Sequence, residues 1–269
     1  MKKEFCISVS KNPGNFGETI HNAGYKALGL NFQYKAFASN DIFGVIKGVK
    51  ALEIKGCSVS MPFKEKVIPL LDELDSLAKK TNAVNTIVNK KGRLIGYNTD
   101  VIGVENCLKP LKIKKNKKIL ILGAGGATRA VLVALKKLKF KKIIVSNRTS
   151  RKGRKISGEF KTEFIHWSKR DMIKSDIIIN TTSIGMSPNT NSIPISEKSI
   201  RHAQMIMDLV VKPPKTKFIQ IANKNKIFTI DGTEIALNQA YEQFKLYTDR
   251  KPPKDVMRKA SKKILWREK

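Results

Sequence analysis

The sequence predicts an α/β protein built from two α/β domains, the second a doubly wound Rossmann-type parallel sheet, with a cleft between them. Three observations carry this expectation. Strand-like and helix-like apolar patterns alternate along the whole chain. A continuous apolar run at 119–122 ends in Gly123-Ala124-Gly125-Gly126 and leads straight into a helical pattern. The 269 residues exceed the roughly 150 typical of one domain, and an apolar fraction of 41% excludes a largely disordered chain.

In the first block, 4–10 alternates as a strand and Asn12-Pro13-Gly14-Asn15 reads as a turn. A helix is expected over 18–28 and a strand over 31–37. Asn40 or Asp41 suits the N-cap of the next helix, in which Ile42, Val45, Ile46 and Val49 recur at helical spacing. Residues 57–61 form a short strand stopped by Pro62, and helical stretches follow at 64–71 and 75–80. Strands at 84–89 and 93–98 flank Lys90-Lys91-Gly92 as a hairpin. The second block starts after a basic, turn-like stretch at 109–118, with strand 119–122, the glycine turn and a helix over 127–138. Further strands are expected at 142–147, 176–180, 205–211 and 227–230, separated by helix-length segments. The end of the chain, 234–247 and 255–266, is helical without a strand of its own and is expected to pack back onto the first block. The boundaries are therefore 1–103 plus 238–269 for one domain and 104–237 for the other.

Fifty-three Lys and Arg against 22 Asp and Glu give a formal charge of +31. The 43 lysines and ten arginines are spread over nearly every segment, whereas a nucleic-acid surface clusters its charge and leans on Arg for bidentate contacts. The expectation is lysine-coated, solvated faces that attract anionic small molecules, with no specific nucleic acid and no membrane as partner. A nucleotide- or polyanion-binding module is the non-enzymatic alternative. Cys6, Cys57 and Cys107 lack metal or redox spacing and imply a reduced, cytoplasmic chain. His21, His166 and His202 are scattered and read as ordinary surface or helix residues, so no metal site is expected. The apolar run in the first ten residues is too short for a signal peptide. The most apolar stretch, 119–135, contains Arg129 and the glycine cluster, unlike a membrane span.

In Gly123-Ala124-Gly125-Gly126-Ala127-Thr128 the small residues let backbone N–H groups and a helix N-terminus approach a pyrophosphate. Thr128 stands where the fingerprint's third small residue falls. About twenty residues further on, a site for NAD offers Asp or Glu to the ribose hydroxyls. Here Asn147-Arg148-Thr149-Ser150-Arg151-Lys152 offers three cations and two hydroxyls, which suits a 2′-phosphate. NADP is therefore the expected cofactor; the alternative is a solvated basic loop.

Two ionisable residues stand out in the first block: Lys64, after Ser58-Val59-Ser60-Met61-Pro62-Phe63, and Asp100, after Gly96-Tyr97-Asn98-Thr99. Reducing a ketone with hydride requires a proton for the developing alkoxide, and oxidising the alcohol requires its removal. A buried Lys beside an Asp meets that need, with the Asp orienting it and accepting from a substrate hydroxyl. Spacing alone does not pair them.

With Ala83-Val84-Asn85-Thr86-Ile87-Val88, Asn180-Thr181-Thr182-Ser183-Ile184-Gly185-Met186 and the late Gln239, these segments follow in order the motifs of shikimate dehydrogenases, and the chain resembles that family over nearly its whole length. The resemblance implies an NADP-linked oxidoreductase that interconverts 3-dehydroshikimate and shikimate, in a monomer or homodimer. It places the catalytic pair on Lys64 and Asp100 and the substrate hydroxyl contacts on Ser60, a Thr in most members, Asn85 and Gln239. Leu209 and Gly232 would line the nicotinamide end. The domain 1–103 plus 238–269 would then bind substrate, and 104–237 the cofactor.

The departures concern the substrate. Typical members carry a Ser-x-Ser before an Ile-His pair, whose hydroxyls bind the substrate carboxylate; here Ile20-His21 follows Asn15-Phe16-Gly17, and Asn15 offers one amide in their place. The family's Asn before Val-Thr is Ser58, and the Tyr expected after Asp208-Leu209-Val210 is Val211. Two lost hydrogen bonds to a carboxylate are worth on the order of 3 kcal/mol. Asn15-Phe16-Gly17, Leu28-Gly29-Leu30-Asn31-Phe32 and the segment from Gly56 to Lys64 are similar to the shikimate dehydrogenase-like paralogues, which share the catalytic pair but turn over shikimate poorly. The expected substrate is a shikimate-like cyclic hydroxy acid. The alternative is an orthodox shikimate dehydrogenase of aromatic amino acid biosynthesis.

Overall fold

The computed structural model describes residues 2–267. The chain forms two compact units, Met1–Gly103 with Leu237–Lys269, and Val104–Ala236.

The first unit is a six-stranded mixed sheet. Its strands are β1 (Glu4–Ser10), β2 (Phe32–Ala38), β3 (Gly56–Val59), β4 (Glu73–Leu74), β5 (Thr86–Lys90) and β6 (Arg93–Tyr97), in the order β2-β1-β3-β5-β6-β4. β1 runs parallel to β2 and β3, and β5 is antiparallel to β3 and β6. Helix α1 (Phe16–Ala27) follows β1, and α2 (Ile42–Ala51) and α3 (Ser76–Thr81) are capped by Asp41 and Asp75, whose carboxylates accept from Gly44 N and Ala78 N. Each cap satisfies a backbone donor that the helix itself leaves free. Helix α4 (Thr99–Leu108) leaves β6 directly and carries the chain into the second unit.

Because successive strand side chains point to opposite faces, this sheet has two cores. Ile42, Ile46 and Val49 of α2 cover one face with Cys57, Val59, Ile87 and Leu94. The opposite face holds Cys6, Tyr34 and Val88 under Ile20 and Tyr25 of α1, and under the two C-terminal helices described below. The hairpin between β5 and β6 turns at Lys91 and Gly92, both at positive φ, with Asn89 Oδ1 accepting from Gly92 N at 2.7 Å. That is the twist a two-residue connection needs.

The second unit contains β7 (Lys118–Leu122), α5 (Gly126–Lys137), β8 (Lys142–Asn147), α6 (Ser150–Phe160), β9 (Glu163–His166), β10 (Ile177–Asn180), α7 (Glu197–His202), β11 (Met205–Asp208), α8 (Lys217–Lys224) and β12 (Phe228–Ile230). All its strand pairs are parallel, in the order β12-β11-β10-β7-β8-β9. This is the doubly wound dinucleotide-binding arrangement, with the order reversing between β7 and β10. Helix α9 (Gly232–Thr248) starts here and from Leu237 belongs to the first unit, where α10 (Lys254–Arg267) packs on α1.

Several expectations are corrected. Residues 64–71 are turns and one 3₁₀ turn, Ile68–Leu70, not an α-helix, because Pro69 supplies no N–H and restricts the residue before it. The strands expected at 57–61 and 205–211 end at Val59 and Asp208, where the backbone bends into site loops. The short strands β4 and β9 and helix α4 were not anticipated. Among the described residues no helix is long and apolar enough to cross a membrane.

His21 is fully buried in α1. Its ring stacks on Tyr34 at 4.7 Å between centroids and lies among Tyr25, Phe244 and Tyr247. Burial holds its pKa down at about 4; the Gln243 side chain opposes this by less, and neither ring nitrogen reaches hydrogen-bonding geometry. None of the surrounding rings carries a charge at these pH values. The unfolded chain takes up a proton here near pH 6.5 and the folded chain does not until about pH 4, so this residue's contribution to stability is intact above 6.5 and is lost as pH falls. The loss should reach about 3 kcal/mol by pH 4. In denaturant unfolding at pH 7, 5.5 and 4.5, His21→Leu should show a shallower pH dependence than the wild-type protein.

Candidate active site

In the first unit, Lys64 Nζ donates to Asp100 Oδ2 at 2.6 Å. Lys64 sits in the turn after β3, tied down by its carbonyl, which accepts from Val84 N at 2.8 Å. Asp100 lies in the first turn of α4, where the helix's positive end favours a carboxylate. Their side chains are 23% and 27% exposed, so the pair is partly open to solvent. The second carboxylate oxygen, Asp100 Oδ1, accepts from Asn85 Nδ2 at 2.8 Å.

Asn85, itself buried, is the hub of this group. Its Nδ2 also donates to Gln239 Oε1 at 3.2 Å, and its Oδ1 accepts from Thr99 N and the Thr86 hydroxyl, each at 2.8 Å. Thr99 Oγ1 donates to Gln239 Oε1 at 3.0 Å. Four of the candidates named from sequence, Lys64, Asp100, Asn85 and Gln239, thus meet in one hydrogen-bonded cluster. Thr86, Thr99 and Gln243, which joins it through Thr86, were missed. The first two stand inside quoted motifs, and Gln243 lies one helical turn beyond Gln239, the spacing that could have found it.

Asn15, Gly17 and Ser60 have no hydrogen bond to the cluster. Asn15 is exposed at the start of α1, and its side chain makes no cap bond. Ser60 is exposed at the end of β3. A Cβ at Gly17 would lie 3.3 Å from Tyr34 Oη, so a side chain there requires the buried Tyr34 to yield.

In the second unit the cofactor candidates all follow carboxyl ends of parallel strands: Gly123 to Ala127 after β7, Asn147 to Lys152 after β8, Leu209 after β11 and Gly232 after β12. Gly123 has φ +120°, and a Cβ there would collide with Thr181 Oγ1. Thr128 and Thr181 share a hydrogen bond at 2.7 Å across the switch point, and Thr128 Oγ1 accepts from Gly125 N. Thr128 is thus a buried brace and not merely a small residue. A Cβ at Gly125 or Gly126 would meet nothing within 4 Å, which leaves open space over the first N–H groups of α5. Arg148, Arg151 and Lys152 are exposed, and none forms an ion pair among the described residues. Ala124 and Ala127 are half-buried beside the open turn, and Asn147 Nδ2 donates to Thr149 O.

The buried carboxylate of Asp208 accepts from Thr216 Oγ1 at 2.6 Å, Asn180 Nδ2 at 2.9 Å and Val210 N at 3.1 Å. Burial pushes its pKa up to about 6 against these donors. It pins the loop that carries Leu209. The carbonyl of Val210 fills the place of any side chain at Gly232.

A dinucleotide-type sheet with an open glycine turn, in one chain with a lysine–carboxylate couple, is what a dehydrogenase with acid–base assistance requires. Comparison with known proteins makes the class specific. Residues 7–87 match the shikimate dehydrogenase substrate binding domain, 107–236 the shikimate/quinate 5-dehydrogenase model and 232–260 the shikimate 5'-dehydrogenase C-terminal domain. The chain is 39% identical over 260 residues to a shikimate dehydrogenase-like protein of Haemophilus influenzae, covering 96% of this chain and 95% of that one. It is also 39% identical over 239 residues to a shikimate dehydrogenase (NADP(+)) of Caldanaerobacter subterraneus subsp. tengcongensis, covering 85% of each. The shikimate 5-dehydrogenase of Thermus thermophilus, solved with NADP(H) and shikimate, superposes with a TM-score of 0.88 at 26% identity, covering 97% of this chain and 99% of that one. The chain belongs to the shikimate dehydrogenase family, a family of oxidoreductases.

The glycine turn yields a discriminating prediction. Gly123→Ala should lower unfolding stability by about 2 kcal/mol, through strained φ and collision with Thr181. Gly125→Ala should cost about 1 kcal/mol at most, from alanine at the N-cap of α5, yet weaken dinucleotide binding, because only a ligand needs that space. Denaturant unfolding and dinucleotide titration of both variants check this.

Proposed function

We propose that this chain is an NADP-dependent dehydrogenase that interconverts a shikimate-like cyclic hydroxy acid and its 3-dehydro ketone. The observation that carries the reading is the 2.6 Å contact between Lys64 Nζ and Asp100 Oδ2 within the Asn85–Gln239 cluster. The residues present fit the cofactor. The open space at Gly125 and Gly126 and the free N–H groups of α5 suit a pyrophosphate, and Arg148, Arg151 and Lys152 with Thr149 and Ser150 suit a 2′-phosphate. Leu209 and Gly232 would border the nicotinamide end. When bound, NADPH supplies the hydride.

The chain's own residues handle the proton. As hydride reaches the ketone carbon, negative charge develops on its oxygen, and Lys64 Nζ gives that oxygen a proton. Asp100 holds the ammonium through Oδ2 and stays fixed because Asn85 occupies Oδ1. In the oxidising direction the same couple takes up the hydroxyl proton. Asn85 and Gln239 position the ring hydroxyls. The carboxylate end falls to Asn15, Gly17 and Ser60, where this chain lacks the paired hydroxyls of typical members. Without those hydroxyls, and with exposed Asn15 alone offering an amide, the reading favours a substrate other than shikimate itself.

Steady-state kinetics with NADP and a panel of cyclic hydroxy acids test the reading. A kcat/KM for shikimate of about 10⁴ M⁻¹s⁻¹ or more would assign the orthodox role instead. Lys64→Ala should lower kcat by about 10²–10⁴-fold while NADP affinity, measured by titration, is kept. Arg148→Ala should weaken NADP about tenfold and NAD little, as expected for loss of one charge-assisted phosphate contact; equal weakening of both would remove the 2′-phosphate assignment.

A further inference from the structure

Gln243 takes no part in the chemistry above, yet it is among the most buried polar side chains of the first unit, 2% exposed. It lies on α9 four residues after Gln239, so the two amides face the same side of the helix. Its Nε2 is 2.8 Å from Thr86 Oγ1, 3.1 Å from Ser58 Oγ and 3.4 Å from the Asn85 carbonyl. We propose that Gln243 is a positioning residue that fixes the Asn85 amide, and through it the Lys64–Asp100 pair, by setting the direction of the Thr86 hydroxyl. The proposal rests on the functional reading of that pair.

The argument follows from donor and acceptor counts. An amide nitrogen has no acceptor to offer, so Thr86 Oγ1 must accept from Gln243. The single Thr86 proton is then free to point at Asn85 Oδ1, 2.8 Å away. Gln243 closes its own side to that proton; without Gln243 the proton gains that direction in addition to the one toward Thr99 Oγ1 at 3.2 Å, and Asn85 Oδ1 receives it less of the time. An amide held at its oxygen end is held at its nitrogen end too. Asn85 Nδ2 is the group that occupies Asp100 Oδ1 and leaves Oδ2 to Lys64. The chain of donation therefore runs one way, from Gln243 through Thr86 and Asn85 to the carboxylate.

Ser58 stands opposite Thr86 in the β3–β5 register, and its Oγ reaches the same Gln243 nitrogen. An amide delivered from position 58 would therefore reach the same hydroxyl from the strand side.

The test uses the full-length protein and three variants. Gln243→Met keeps the side chain's length and removes its donors; Gln243→Ala and Ser58→Asn/Gln243→Ala ask whether an amide from the strand substitutes. Three measurements are made: NADP affinity, kcat with the most active cyclic hydroxy acid, and the Asn85 side-chain amide signals by ¹H–¹⁵N NMR without substrate. Gln243→Met should lower kcat by about tenfold, within the range for residues coupled in one hydrogen-bond network, and leave NADP affinity within about twofold. The Asn85 amide protons should shift and exchange faster. Ser58→Asn should recover much of the kcat lost in Gln243→Ala and return the Asn85 signals toward their original positions. Unchanged Asn85 signals and kcat in Gln243→Met overturn the proposal, as does a Gln243→Ala defect that Ser58→Asn leaves untouched. Asn85 signals that respond as expected in a protein reducing no cyclic hydroxy acid uphold the positioning role and overturn the functional reading alone.

Discussion

The side-chain amide of Asn85 accepts from Thr99 N and the Thr86 hydroxyl at one end and donates to Asp100 and Gln239 at the other. Two donors hold the oxygen end of this amide: the Thr86 hydroxyl, whose proton can turn, and Thr99 N–H, a backbone donor with no alternative role. That N–H exists there because α4 starts at Thr99, directly off β6, which leaves the first-turn donors of the helix unpaired. The same turn carries Asp100. A helix start thus supplies both the carboxylate and the donor that orients the carboxylate's partner, and the position of Lys64 follows from the one oxygen left open. β5 and α9 complete the cluster from either side, so four separate chain segments must fold before the couple has its geometry.

The second unit was readable because its order is local. A strand, a glycine turn and a helix follow one another within 118–137, and β8, β10 and β11 each contain a buried apolar run, as strands covered on both faces require; the edge strand β9 has no such run and was missed. The first unit was less legible. Pro69 interrupts a stretch whose composition looks helical, β4 is too short to show a period, and α4 hides behind a motif quoted for its chemistry. The candidate pair could be named from motif resemblance but not from spacing, since Lys64 and Asp100 are 36 residues apart. Spacing to Gln239 places Gln243 on the same helix face but not what it touches: its partners, Ser58 and Thr86, lie more than 150 residues away. His21 passed as an ordinary helix residue because nothing in a single helix reveals that three tyrosines and a phenylalanine enclose it.

Charge bears on the site as well. With 53 cationic side chains and only 22 acidic ones, most ammonium groups have no carboxylate to meet. Exposed pairs such as Lys2–Glu53 contribute little once screened by solvent. The Lys64–Asp100 pair differs in being tethered at both ends: the Lys64 carbonyl by Val84, the Asp100 carboxylate by Asn85. The basic loop after β8 is the opposite case. Its cations are exposed and unpaired, which in this protein is the common condition, so its meaning comes from its place at the carboxyl end of the strand next to the glycine turn.

These two conditions set how freely each position of the candidate site can be exchanged. Removing Asn85, Thr99 or Asp100 would leave buried donors and acceptors unmatched, at about 1–3 kcal/mol for each orphaned group. Substitution is therefore opposed by folding as well as by function. Asn15 and Ser60 face solvent and have no bond to that cluster, so exchanging them costs the fold almost nothing. Gly17 lies between these extremes. It can be replaced only if Tyr34 moves, and Tyr34 stacks on His21 in the core. A side chain at position 17 is accommodated only where Tyr34 gives by a few tenths of an ångström. Asn15 and Ser60 are thus free to vary and Gly17 is hindered, while the Lys64–Asp100–Asn85 cluster stays fixed by its own hydrogen bonds.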